Sequence, residues 1–324
     1  MVRYAGGHAI SVNRSEPAAP RHPSTERFTM PSHDLPLHGR TAVITGVSRR
    51  RGIGFAVAST LASLGANIFV HHYRPHDAAQ PWGGDDLDAV RDGIRTALVP
   101  GAAFGDMGAD LRDPSAIEPV LSAAAALTGQ LDLLVCNQAM SGGDGSIYDL
   151  TADAYDAHWQ TNARATLLLT AGFARRVRAR LGGDTTEANA RPGDRAARLG
   201  PFAAPTGRVI WMTSGQAHGP MRGEVAYATS KAALAGITPT VAAELLDVGV
   251  VLNTVNPGPV NTGYLDPETT DRDMSWAPEY LASTPFGRFG ETADPANLIG
   301  WLCTDAGSWV VGQVLTSDGG FSLR

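Results

Sequence analysis

Cysteine is nearly missing from this chain: its 324 residues include only Cys136 and Cys303, far apart and each inside an apolar run. A disulfide framework and a cysteine zinc site are both ruled out. Two such thiols fit the buried residues of a reducing compartment, so the expected location is cytoplasmic. Uninterrupted apolar runs of roughly 18 residues are also lacking, so no membrane partner is expected. Nor is there an excess of basic charge: 26 Lys and Arg stand against 32 Asp and Glu, a net charge of -6. No nucleic-acid partner is expected, because nothing supplies a strong positive field. No internal repeat of solenoid period occurs. What the chain does have is 43% hydrophobic residues, enough to bury a full core at this length.

Two stretches differ in composition from the rest. Met1 to His38 is rich in Pro, Arg, His, Ser and Glu, lacks sustained periodicity, and cannot bury enough apolar surface to offset the entropy of ordering. It is expected to be a disordered tail. It has no apolar region long enough for a secretory signal, and Met30 offers an alternative start. Residues 182–206, dense in Gly, Pro, Arg, Asp and Ala, are expected to be a mobile insertion in a single domain over residues 39–324.

Within that domain, strand and helix patterns alternate. Thr41-Ala42-Val43-Ile44-Thr45 is a β-branched apolar run of the kind that forms a buried parallel strand. It leads into Gly46-Val47-Ser48-Arg49-Arg50-Arg51-Gly52-Ile53-Gly54 and then an Ala-rich amphipathic segment. Strand, glycine turn and helix together bring backbone amides and a helix N-terminus up to a pyrophosphate. A second strand, Asn67 to His72, ends in His71, His72, Tyr73 and Arg74, with no acid before Asp77. A carboxylate there would hold the ribose 2'-hydroxyl of NAD, whereas a basic residue suits the 2'-phosphate of NADP. Arg74 therefore favours NADP(H), and Arg49, Arg50 and Arg51 add positive charge. The nearby histidines, His71, His72 and His76, lack convincing carboxylate geometry and suggest no metal.

Further strands are expected at residues 102–107, 131–137, 207–213, 250–255 and 314–317. Asp113-Pro114, Thr151 and Asp294-Pro295 signal helix starts. Pro75 to Gly84 reads as a loop, and the residues after Thr262 as an irregular stretch. The fold class is α/β: one doubly wound parallel sheet, Rossmann-like, with helices on both faces and chemistry outside the carboxyl ends of the strands. At such ends lie the Gly46 turn, Asp110, Asn137, Ser214 and Thr262.

Tyr227-Ala228-Thr229-Ser230-Lys231 puts a phenol and an ammonium four residues apart, on one face of a helix. A fixed positive charge stabilises the phenolate and brings its pKa toward neutrality, so the phenol can exchange a proton with an oxygen. Alone, this spacing is common on protein surfaces.

Taken in order, the glycine turn, Asp110, Cys136-Asn137-Gln138-Ala139, Asn162, Ser214, Tyr227, Lys231 and Pro257-Gly258 with Thr262 resemble the short-chain dehydrogenase/reductase family. The resemblance covers about Leu37 to Arg324, and 3-oxoacyl-carrier-protein reductase-like ketoreductases are the members it suggests. It implies Tyr227 as general acid and Lys231 as the group that lowers the phenol pKa and holds the nicotinamide ribose. Ser214 would orient the substrate oxygen, and Asn162 would hold a water linking Lys231 to solvent. Cofactor contacts are implied at Gly46, Ser48, Arg49, Gly52, Ile53 and Gly54, and at Arg74, Leu111 and Asn137. Asp110 would touch the adenine and Thr262 the nicotinamide carboxamide, with Pro257, Gly258 and Val260 alongside. The implied partners are a small-molecule or carrier-linked carbonyl substrate and further copies of the chain, as homodimer or homotetramer.

The departures from the family pattern raise expectations of their own. The glycine turn is two residues longer than usual, as in enoyl-acyl-carrier reductases, although those enzymes space Tyr and Lys more widely. Cys136 and Gln138 replace the usual Asn and Ala and are expected to loosen contacts there. Pro239 should bend the helix after Lys231 at a cost of about 3 kcal/mol, which makes a dimer face on that helix less secure. His218, Met221, Tyr264 and Trp276 are the expected substrate-pocket residues. The alternatives to carbonyl reduction are an enoyl-reducing or non-redox relative, or a catalytically silent cofactor-binding sensor.

Overall fold

A computed structural model of the chain describes residues 35–183, 198–271 and 273–323. The expected tail up to residue 34 and the centre of the expected insertion, residues 184–197, lie outside the described residues. The described residues next to both segments are packed. Leu37 is buried and its N–H donates to the Leu64 carbonyl at 2.9 Å, so packing begins ahead of residue 39. At the far end of the insertion, Leu199 N–H donates to Asp247 O at 2.8 Å and Thr206 N–H to Gly249 O at 2.9 Å.

In chain order the elements are β1 (Thr41–Ile44), α1 (Ile53–Ser63), β2 (Asn67–His72), α2 (Arg74–Ala78), α3 (Leu87–Ala97), β3 (Phe104–Gly108), α4 (Ile117–Ala126) and β4 (Leu133–Cys136). They continue with α5 (Ala152–His158), α6 (Ala165–Arg180), β5 (Gly207–Met212), α7 (Val225–Leu245), β6 (Val250–Asn256), α8 (Ala277–Ser283), α9 (Ala293–Cys303) and β7 (Val314–Thr316). The strands form one seven-stranded parallel sheet in the order β3-β2-β1-β4-β5-β6-β7.

Period-two alternation sends successive side chains to opposite faces of this sheet. From β1, β4 and β5, Ala42, Ile44, Leu133, Val135, Ile210 and Met212 pack in one core with α1 and α9. Val43, Leu134, Cys136, Val209 and Trp211 face the other core, against α4, α6 and α7. Burying a Val, Leu or Ile fully contributes about 1.5–3 kcal/mol, so these two layers fix the register of the central strands.

Two short helices fall where loop or irregular chain is expected. In both α2 and α8 a proline stands in the first turn, which suits a helix start, and one or two turns show no readable periodicity. Pro239 does not interrupt α7, whose 21 residues continue through it. A buried stripe of Ala226, Ser230, Leu234, Thr238 and Ala242 anchors that helix. Between α5 and α6 lies a π turn, Trp159–Arg164, and Thr151 caps α5 by accepting from Ala154 N at 3.2 Å. Among the described residues no helix is long and apolar enough to cross a membrane.

Candidate active site

Strand order reverses between β1 and β4, so the loops leaving their carboxyl ends diverge and open a crevice. A cleft of about 410 Å3 lies there. Gly46, Ser48, Arg49, Gly52 and Ile53 line it from the glycine turn, and Asp110, Leu111 and Asn137 from the ends of β3 and β4. Pro257, Gly258, Val260 and Thr262 close it from the loop after β6.

The turn itself is tightly fitted. Gly46 has φ +71°, and a Cβ there would meet Gln138 Cα at 2.7 Å, so only glycine is tolerated. Asn137 Nδ2 donates to the carbonyls of Thr45 and Gly46, both at 3.1 Å, tying the turn to β4. Gly54 sits behind the turn, where a Cβ would meet Asn137 Nδ2 at 2.6 Å. No side chain caps α1 and no acid stands in its first turn, so its N–H groups are offered to an anion. This donor set fits a dinucleotide pyrophosphate.

At the other end of the cleft Ser214, at the end of β5, and Tyr227, in the first turn of α7, face the same space. Lys231 lies one turn further along α7, buried, with Nζ donating to Met212 O at 3.0 Å and standing 5.7 Å from the Tyr227 ring centroid. Burial pulls the Lys231 pKa down to about 8, which leaves the ammonium charged at neutral pH.

Known proteins resemble the chain over most of its length. Residues 40–185 match a family model described as short chain dehydrogenase, and residues 194–322 match one described as enoyl-(acyl carrier protein) reductase. An uncharacterized oxidoreductase, YjdA, of Bacillus subtilis is 31% identical over 87% of this chain and 96% of its own. The chain belongs to the short-chain dehydrogenase/reductase family. An NADPH-dependent aldehyde reductase-like chloroplastic protein of Arabidopsis thaliana is 31% identical over 89% of this chain and 96% of its own. A short-chain dehydrogenase from Burkholderia cenocepacia, solved in complex with NADP, superposes with a TM-score of 0.68 at 29% identity, covering 89% of this chain and 100% of that one.

Several expectations drawn from the sequence need correction. Arg74 does not line the cleft; it begins α2 and its Nε donates to the Asp85 carbonyl at 3.2 Å. The three arginines of the glycine turn are each paired with an acid: Arg49 with Asp77 at 2.9 Å, Arg50 with Asp85 at 2.8 Å and Arg51 with Asp266 at 2.7 Å. Only Arg49 of the three lines the cleft, and its Nη1 reaches across to Thr262 O at 2.7 Å. Asp77 also accepts from the Ser48 hydroxyl.

Gln138 tightens the end of β4 rather than loosening it. It is buried, its Oε1 accepts from the Thr45 hydroxyl, and its Nε2 donates to Thr166 Oγ1 at 2.9 Å and Thr161 O at 3.2 Å. Cys136 is a buried core thiol pushed up to about 12 by desolvation. Asn162 and Lys231 are buried and do not line the cleft. The Asn162 side chain accepts from Met140 N at 2.7 Å and donates to Met140 O at 3.1 Å and Ser230 Oγ at 2.9 Å. Among the expected substrate residues Met221 and Tyr264 line the cleft. His218 bonds Thr316 at 3.1 Å, and Trp276 packs edge-on against Tyr280 and Phe289.

Sequence reasoning missed other residues that line the cleft. Tyr73 and Arg112 meet beside Asp110: Arg112 Nη2 lies 2.6 Å from Asp110 Oδ2 and 3.5 Å from the Tyr73 hydroxyl. That pairing holds the Asp110 carboxyl below the usual range. Arg112 stands two residues after Asp110, and that proximity was the available signal. Behind the Ser214–Tyr227 end of the cleft, Asp144 accepts from Tyr227 N at 2.7 Å and Ala226 N at 3.1 Å.

Proposed function

We propose that this short-chain oxidoreductase interconverts a carbonyl and a hydroxyl with NADP(H), with Tyr227 as proton donor in the reductive direction. The substrate in this reading is a small or carrier-linked ketone of the 3-oxoacyl or polyketide-like type, and the enzyme is a cytoplasmic homodimer or homotetramer. One observation carries it: Tyr227 and Ser214 face the same cleft as the glycine turn, with the Lys231 ammonium buried beneath the phenol.

A reduced nicotinamide, when bound, supplies the hydride. Ser214 donates a hydrogen bond to the substrate oxygen, fixing the carbonyl and stabilising the charge that develops on it. Tyr227 gives its proton to that oxygen. The nearby Lys231 charge stabilises the phenolate left behind, which lowers the cost of the transfer. The choice of NADP(H) is supported by the absence of an acid at the end of β2 and by Arg112 lining the cleft. The NADP complex of the Burkholderia relative and the name of the Arabidopsis relative agree with it.

Enoyl reduction is a second reading, favoured by the lengthened glycine turn and by the description of the matching C-terminal family model. The four-residue Tyr227 to Lys231 spacing favours carbonyl chemistry. The test is NADPH oxidation followed at its absorbance band with a panel of ketones, 3-oxoacyl thioesters and the matching enoyl thioesters. Ketone turnover that falls at least a hundredfold in Tyr227→Phe is expected. Turnover of enoyl substrates alone would replace the carbonyl reading with the second one.

A further inference from the structure

α7 carries the catalytic pair but lacks a cap of its own. Glu224, at its N-cap position, makes no side-chain capping bond, and no acid stands in the first turn. The first N–H groups of any helix need partners, because an unpaired amide loses its bond to water without replacement. Here the partner comes from a distant part of the chain. Asp144, in the loop after β4, accepts from Ala226 N at 3.1 Å through Oδ1 and from Tyr227 N at 2.7 Å through Oδ2. Its Oδ1 also accepts from Gly145 N at 2.7 Å, which fixes the carboxylate within its own loop. Val225 N donates to Gly145 O at 3.3 Å, a third link between this loop and the helix start.

The other side of the Tyr227 peptide is held as well. The Ser230 hydroxyl donates to Tyr227 O at 2.7 Å and receives the Asn162 Nδ2 donor at 2.9 Å. Asn162 in turn grips Met140, four residues before Asp144, through both backbone groups. The loop after β4 is therefore fastened at Met140 to the π turn and at Asp144 to α7, and Tyr227 sits between the two attachments. A carboxylate at the positive end of a helix adds a favourable charge interaction to these bonds.

We propose that Asp144 is a positioning residue: by capping α7 from the loop after β4 it fixes the backbone of Tyr227, and so sets where the phenol stands relative to Ser214. It does not line the cleft and acts through the helix. Main-chain placement matters because a misplacement of about 1 Å at a reacting group can cost about a hundredfold in rate. The kinetic part of this inference rests on the carbonyl-reductase reading; the structural part does not.

The experiment compares wild type, Asp144→Asn and Asp144→Ala, with Asp149→Ala as a control. Asp149 belongs to the same loop, and its side chain accepts from Ser146 Oγ at 2.5 Å. Backbone deuterium exchange of peptides covering residues 225–228 is read first, on the full chain without added cofactor. Asp144→Ala should speed exchange there at least tenfold while peptides beyond Leu234 keep their rates, and Asp149→Ala should change neither. Steady-state kinetics with NADPH and ethyl 3-oxobutanoate, or the best ketone of the panel, should then give kcat in the order Asp, Asn, Ala. The expected fall in Asp144→Ala is tenfold or more, with the KM for NADPH within twofold of wild type. Asparagine should recover part of the loss because it keeps one acceptor oxygen. Unchanged exchange in Asp144→Ala overturns the proposal, as does a kcat loss matched by a rise in NADPH KM. If wild type turns over no carbonyl at all, the carbonyl reading fails, and the exchange rates still decide the capping role.

Discussion

Arg74 and Arg112 both flank the end of β2, yet only Arg112 lines the cleft. The Arg74 Nε donates to the carbonyl of Asp85, whereas Arg112, bonded to Asp110 and 3.5 Å from the Tyr73 hydroxyl, lines the cleft. Attraction between exposed charges falls with distance and is screened beyond roughly 10 Å, so under the proposed NADP(H) reading the arginine that lines the cleft is the one that would act on a 2'-phosphate. Arg112→Ala should weaken NADPH about tenfold, or about 1.4 kcal/mol, and NADH less than twofold. Arg74→Ala should leave both affinities unchanged. Quenching of tryptophan fluorescence on titration measures this, and an equal loss of NADPH in Arg74→Ala would move the phosphate back to the sequence-expected position. The sequence placed Arg74 correctly at a strand end. It did not reveal that Arg74 itself begins a helix, with Pro75 in the first turn, and that its Nε bonds the Asp85 carbonyl. Asp144 was hidden for a different reason: its partners lie more than eighty positions away, and no local pattern marks such a cap.

At the scale of elements, β2 meets the glycine turn through His71. Its Nδ1 accepts from Gly46 N at 3.4 Å and its Nε2–H donates to Ala109 O at 2.8 Å, so one neutral tautomer serves both contacts. Burial pushes the pKa of this ring down to about 4 from 6.5. Between those values the unfolded chain takes up a proton that the folded chain refuses, so stability is present above pH 6.5 and is lost as pH falls toward 4. The difference corresponds to roughly 3 kcal/mol. Urea denaturation between pH 7 and 4 should therefore show a shallower acid loss in His71→Gln than in wild type, and identical slopes would remove His71 from the acid response. The strands themselves were legible because β-branched runs such as Val43-Ile44 and Val250-Val251 bury on both faces. The π turn was not, because the apolar spacing from Ala152 to Arg180 continues through it while its hydrogen bonds shift. Gln138 looked like a defect only because its three threonine partners, Thr45, Thr161 and Thr166, come together in the fold and not in the chain.

Over the whole molecule, the cleft is assembled from loops that leave separate strands: the turn after β1, Asp110 and Leu111 beyond β3, Asn137 after β4, and Pro257 to Thr262 after β6. The alternation of strand and helix was enough to anticipate a crevice at the carboxyl edge, since a parallel sheet sends all its chain exits there. The way those exits are tied together could not be anticipated. Arg49 reaches from the first loop to the Thr262 carbonyl, and Asp77 holds Arg49 and the Ser48 hydroxyl together. A dinucleotide that contacts these loops binds only the folded chain, because no segment of the unfolded chain presents the set. Its binding free energy is then added to folding, by about 2.7 kcal/mol at a hundred times Kd. For a domain of this size NADPH at that concentration should raise Tm by roughly 5 °C. NADH at the same concentration should raise it less, and Arg112→Ala should bring the two shifts together. A thermal scan with each nucleotide decides the matter: a larger shift with NADH overturns the cofactor choice, and no shift with either nucleotide means the cleft does not hold a nicotinamide dinucleotide.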